Sequence, residues 1–198
     1  MRKLKRNSQF KKGFTLIELL VSVGIFIIMT TLLMVKYGNF NQSVLMTNLA
    51  YDVAITIRTA QTYGLSVKNL SKVEEDVSFA SGYGVYFSTS TTPPENNLII
   101  FFEDTESGNL NMYDYADTIV DTYTIKRGAY ISDICTGTTC GINNLSVVFK
   151  RPDPNAQICY NNDGAKVCVL SAEIFIMGTD RSTRSVRVRE NGQISVIE

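Results

Sequence analysis

From Phe14 to Val35 the chain reads FTLIELLVSVGIFIIMTTLLMV, 22 residues that hold a single charge, Glu18. Apolar side chains cover every face of a helix drawn through this stretch. At 1.5 Å per residue that helix is about 33 Å long, enough to cross a hydrocarbon core of about 30 Å. Beyond it the polarity becomes one-sided. Leu45, Leu49, Val53, Ile57 and Ala60 follow one another at helical spacing, while Thr47, Asn48, Asp52, Thr56, Arg58 and Thr59 fall mostly off that line. One apolar stripe on an otherwise polar helix is the mark of an element packed on one side. Gly38, with Asn39 and Asn41 close by, is a weak point at which such a helix bends or melts. The pattern predicts one helix from about residue 14 to about 66, apolar all round over 14–36 and amphipathic over 37–66.

After residue 66 the period changes to two. Apolar and aromatic runs recur at 83–87, 98–102, 119–125, 145–149, 167–177, 184–189 and 193–197. Clusters such as Thr92-Pro93-Pro94 and Pro152-Asp153-Pro154-Asn155 separate them. Asp163-Gly164 and Asn191-Gly192 both suit two-residue hairpin turns, which need positive φ. Residues 67–198 therefore read as an antiparallel β domain, and the chain as α+β. No internal repeat is apparent.

Charge adds an orientation. The chain carries 19 Lys+Arg and 19 Asp+Glu, yet Arg2, Lys3, Lys5, Arg6, Lys11 and Lys12 all precede the apolar stretch and no acid does. Lys36 alone follows it closely. By the positive-inside rule the amino terminus is cytoplasmic and everything after residue 36 lies outside. A cleaved signal peptide is the competing reading, but its apolar region is usually about 7–15 residues and ends in small residues, which MVKYGNF does not supply. There is no His and no Trp. Ser-His-Asp and Cys-His catalysis, and every metal site that needs histidine, are excluded.

Glu18 is costly in a spanning segment, unless it reaches the headgroups from its place near the cytoplasmic end. The string Lys12-Gly13-Phe14-Thr15-Leu16-Ile17-Glu18-Leu19-Leu20 resembles the processing and methylation signature of type IV pilins and type II secretion pseudopilins. The resemblance implies a leader, 1–13, removed by a membrane-embedded prepilin peptidase that cuts between Gly13 and Phe14 and N-methylates Phe14. It further implies a pilin-like fold, a place in the cytoplasmic membrane and then in a periplasmic or extracellular filament of similar subunits, and no enzymatic activity or cofactor. Removing the six leader cations would leave the amine of Phe14 as a lone charge at the membrane boundary, and a buried charge needs a partner. Glu18 of a neighbouring subunit would supply it.

Four cysteines remain. Across an Asp163-Gly164 turn, Asn162 faces Ala165, Asn161 faces Lys166, Tyr160 faces Val167 and Cys159 faces Cys168, close enough for a disulfide. Cys135 and Cys140 bracket a four-residue loop that a second bond would close. Export favours oxidation, with a four-cysteine zinc site or free thiols as the alternatives. Between Lys72 and Lys126 there are ten acids and no base. Asp104, Glu106, Asn109, Asn111 and Asp114 alternate around a Gly turn there, which reads as a calcium loop or as a solvated acidic hairpin. Arg181, Arg184, Arg187 and Arg189 cluster near the carboxyl end, an amphipathic strand with its arginines in water or a phosphate patch that holds DNA. Residues 184–196 resemble the closing hairpin, and 49–67 the post-membrane helix, of the H-type minor pseudopilins and their FimT-like relatives. Members of that subfamily that take up DNA carry Gly-Arg-x-Arg, where this chain has Gly192-Gln193-Ile194-Ser195. A minor filament subunit is the first reading. A DNA-binding minor pilin and a single-pass anchored extracellular protein are the alternatives.

Overall fold

The computed structural model describes residues 13–66, 82–90, 95–104, 110–114, 116–137 and 139–197, without the side chains of 35–41 and 95. Among the described residues there are one long helix, α1 (Leu16–Leu65), and ten strands. The chain divides into two compact units, Met1–Asn41 and Gln42–Glu198.

In the first unit α1 begins where Thr15 Oγ1 accepts the amide N–H of Glu18 at 3.3 Å, an N-cap that satisfies one of the unpaired amides of the first turn. Leu16–Met34 is strongly apolar, and none of its residues is buried within the chain. Its hydroxyls are turned inward on the backbone. Ser22 donates to the Glu18 carbonyl at 2.7 Å, Thr30 to Phe26 at 2.9 Å and Thr31 to Ile27 at 2.7 Å. Each hydroxyl thereby finds an acceptor without water, the condition for lying in hydrocarbon. The backbone stays helical through Gly38; no break occurs there.

The second unit holds the amphipathic end of α1 and two antiparallel sheets. The strands are β1 (Gly82–Ser88), β2 (Leu98–Asp104), β3 (Thr118–Thr124), β4 (Tyr130–Cys135), β5 (Asn144–Lys150), β6 (Asp153–Asn162), β7 (Ala165–Val169), β8 (Ser171–Met177), β9 (Thr183–Arg189) and β10 (Ile194–Ile197). Six form a sheet in the order β3-β2-β1-β5-β6-β7 and four in the order β10-β9-β8-β4. The predicted stripe is buried at Leu49, Val53, Ile57 and Ala60, and Met46, Ala50 and Ala54 widen it. These helix residues share one core with Val85, Phe101, Val147 and Phe149 of the larger sheet and Ile131, Ile174, Ile176, Val186 and Val188 of the smaller. Gly64 marks the closest approach: a Cβ there would overlap the Phe149 carbonyl oxygen and lie 2.8 Å from the Phe149 Cβ.

Three strand expectations change. The run 167–177 is two strands in two sheets, parted at Leu170, where the more buried positions switch from odd to even. The Leu170 side chain is 71% exposed while its carbonyl accepts the Glu190 amide at 2.7 Å. β4 is absent from the expected strands, because Asp133 interrupts its apolar alternation. β6 starts at Asp153, inside a segment expected to be a separator; Pro154 is tolerated because β7 pairs with β6 only from Ile158 onward.

The two hairpins also differ. Asp163 and Gly164 have φ of 50° and 86°, and the pairs Asn162↔Ala165 to Cys159↔Cys168 form as expected. Asn191-Gly192 does not make a two-residue turn. Ile194 pairs with Val188, the Gly192 amide donates to the Arg189 carbonyl at 2.9 Å, and only Gly192 has positive φ, so the loop is Glu190-Asn191-Gly192. A two-residue turn would set Ile194 opposite Arg189 and put the apolar side chains of β10 on the wrong face.

Candidate functional site

At the amino end Phe14 is 78% exposed and Glu18 stands in the first turn of α1. Thr15 and Glu18 form a reciprocal pair: the Glu18 amide donates to Thr15 Oγ1, and that hydroxyl donates to Glu18 Oε2 at 3.5 Å. A Thr-x-x-Glu capping arrangement places the carboxylate at the positive end of the helix, which lowers the cost of its charge near lipid. Thr15 is the residue that sequence reasoning passes over; its three-residue spacing to Glu18 is the available signal. Residues 1–12 lie outside the described residues, so the structure places Gly13 and Phe14 but not the basic residues before them.

The cysteines pair as two couples at bonding distance, Cys135 with Cys140 and Cys159 with Cys168. The first closes the end of β4 in the smaller sheet and the second spans the β6–β7 hairpin in the larger. The four sulfurs do not converge on a single four-cysteine centre.

In the acidic loop Glu106 and Asn109 lie outside the described residues. Asp104 is buried, and both of its oxygens accept the Asn111 amide at 3.2 Å. Burial pushes its carboxyl up to about 6, with Asp117 pushing the same way and the Asn111 amide, Lys150 and Lys166 opposing it. Asp114 Oδ1 accepts the Ala116 amide, and Asp117 Oδ2 accepts the Asp114 amide. Asp117, also buried, is not among the expected ligands. These described carboxylates are engaged by backbone amides. The loop itself packs on the larger sheet: the Tyr113 amide donates to Ser146 Oγ at 3.0 Å and the Tyr113 ring lies against Tyr86 and Phe102. That cover explains why β5 is buried at consecutive positions on both faces.

The four arginines are dispersed. Arg184 turns toward α1, donating to Thr47 Oγ1 at 3.4 Å and Ser43 Oγ at 3.2 Å. Arg181 sits in the β8–β9 turn with φ of 65°. Arg187 and Arg189 share the outer face of β9. Arg187 gives two hydrogen bonds to Glu173 Oε2, at 3.1 and 2.7 Å, and Arg189 donates to Gln193 Oε1 at 3.3 Å. Burial pushes the Glu173 carboxyl up, but hydrogen bonds from Ser185 and Arg187 outweigh it and hold the group below its usual range. Arg187 and Arg189 line a cavity of about 170 Å³ with Glu173 and Cys135.

No curated protein and no solved structure matches the chain at a significant level. Residues 9–34, running from the basic amino-terminal residues through the apolar helix, match the family profile of the prokaryotic N-terminal methylation motif, which supports a type IV pilin or pseudopilin subunit, and among the described residues one helix is long and apolar enough to cross a membrane.

Proposed function

We infer that the chain is a minor structural subunit of a type IV pilus or type II secretion pseudopilus. A prepilin peptidase cuts it between Gly13 and Phe14 and methylates the new amine, and the product joins a filament of related subunits. The carrying observation is a helix whose Leu16–Met34 segment is apolar on every face and unburied within its own chain, with Glu18 as its one acid. Lipid accepts that surface before assembly. In a filament the neighbouring helices replace the lipid, and Glu18 neutralises the Phe14 amine of the next subunit while setting their axial register.

Mass spectrometry of the mature amino terminus tests the processing: the chain should start at Phe14 and be one methyl group heavier than its sequence. A chain that keeps residues 1–13 would refute it. Glu18→Gln should leave cleavage intact and reduce recovery in sheared filaments at least about tenfold, in line with an unpaired charge costing a few kcal/mol. Normal assembly of Glu18→Gln would reject the pairing.

The dispersal of the arginines does not favour the DNA-holding alternative. Arg184 is engaged by α1 and Arg187 by Glu173.

A further inference from the structure

The end of β4 gathers a donor set that the filament reading leaves unused. Cys135 is the last residue of β4, and the loop to Cys140 is pinched by Thr136 and Thr139, whose backbones exchange hydrogen bonds of 2.7 and 3.1 Å. Asp133 lies on the same strand. Its Oδ1 accepts the amides of Ile134 at 2.8 Å and Gly141 at 2.9 Å, which fixes the carboxylate, and its Oδ2 stands 3.8 Å from Cys135 Sγ. One oxygen of Asp133 and the sulfurs of Cys135 and Cys140 all lie within 4.8 Å of one another. The other nearby acid, Glu173, lies opposite Cys135 on the paired strand β8 but is already held by Ser185 and Arg187. Asp133 is therefore the carboxylate with an oxygen turned to the sulfurs. Space for a further ligand exists beside Cys135, in the cavity that it lines with Gly137, Glu173, Arg187 and Arg189.

Two thiolates and one carboxylate form a set that suits a borderline-soft divalent ion. Zinc takes such ligands tetrahedrally with a fourth position left to water, whereas calcium and magnesium prefer oxygen alone. A carboxylate held by two backbone amides is the outer support such a ligand needs. While the sulfurs are bonded to each other they offer no thiolate. We propose that Asp133, Cys135 and Cys140 bind one zinc ion whenever the Cys135–Cys140 bond is reduced, so that this loop is closed either by a disulfide or by a metal. In the redox step a dithiol reductant gives two protons and two electrons to the Cys135–Cys140 bond, yielding two thiols and an oxidised dithiol. Zinc then displaces one proton from each thiol. Thiols are kept reduced in the cytoplasm and oxidised outside it, so the metal form belongs to the stage before oxidation. The proposal goes beyond the filament reading and does not depend on it.

The test uses the full chain in detergent, reduced with a phosphine that is then removed under anaerobic conditions, with cobalt(II) as the spectroscopic probe for zinc. A Cys159→Ser/Cys168→Ser double variant isolates the site. It should bind one cobalt per chain with a thiolate-to-metal charge-transfer band, and the oxidised form should show no band. Asp133→Asn retains the Oδ1 acceptor for both amides, and it should weaken cobalt binding at least about tenfold. Cys135→Ser should abolish the band. If the double variant does not fold, the same Asp133→Asn comparison is made in the otherwise unaltered reduced chain, with matched far-ultraviolet circular dichroism. Unchanged affinity in Asp133→Asn, or a band that survives Cys135→Ser, would overturn the proposal.

Discussion

Asp104→Asn should make the β domain more stable at neutral pH and leave it unchanged near pH 4. The side chain is buried beside Asp117, and burial holds its carboxyl at about 6 against an ordinary 3.8. A folded-state value above the unfolded one means that the native state binds the proton more tightly. The stability linked to this group is then fully present below about pH 4 and is lost as pH rises through 6. A tenfold change in proton affinity corresponds to about 1.4 kcal/mol, so a carboxyl raised this far sets an upper bound of about 3 kcal/mol on the cost of the ionised form. The Asn111 amide and the charges of Lys150 and Lys166 already act in holding the group at that value. Solvent response around the loop reduces the cost below that bound, to about 1–2 kcal/mol. Asparagine keeps the size and the acceptor for the Asn111 amide while removing the charge. For a domain of this size the gain corresponds to a rise in Tm of about 2–8 °C at pH 7.5. Thermal unfolding followed by near-ultraviolet circular dichroism at half-unit steps from pH 4 to 8 measures it. The chain has no histidine, so few other groups titrate between pH 5 and 7. A difference between variant and parent that is flat across this range, or an Asn variant less stable at pH 7.5, would refute the argument.

Gly64→Ala should destabilise the second unit by about 1–3 kcal/mol, because its Cβ would overlap the Phe149 carbonyl and backbone, not a mobile side chain, would have to yield; unchanged denaturant midpoints would show that the helix has more room than the structure gives it. Glu173→Gln should cost about 0.5–1 kcal/mol at pH 7 and low salt, since its partner Arg187 is 40% exposed. The folded-state Glu173 carboxyl lies below its usual value, so the penalty should fade as pH drops below about 4.5 and also in high salt, the opposite slope to that of Asp104. A penalty independent of both pH and salt would assign the loss to packing.

Local chemistry made part of this molecule legible without coordinates. An unbroken apolar run, a one-sided stripe from Leu45 to Ala60 and a change to period two are properties of single segments, and α1 with most of the strands follows from them. The Cys159–Cys168 pairing was equally local, because an Asp-Gly turn with positive φ at both residues dictates what faces what for several residues along a hairpin. Other features were settled only by what packs against what. Leu170 parts two strands because its neighbours enter different sheets, and the Asn191-Gly192 loop takes a third residue because Ile194 must lie beside Val188 on the core face of their sheet. β4 could not be read from its own residues, since Asp133 breaks the alternation and its carboxylate is satisfied by the Gly141 amide eight residues on. The roles of Asp104, Glu173 and the four arginines were likewise invisible along the chain. A charge declares its type in a sequence, but burial and the partner across the sheet decide whether it is a solvated ornament, a strained acid or half of an ion pair.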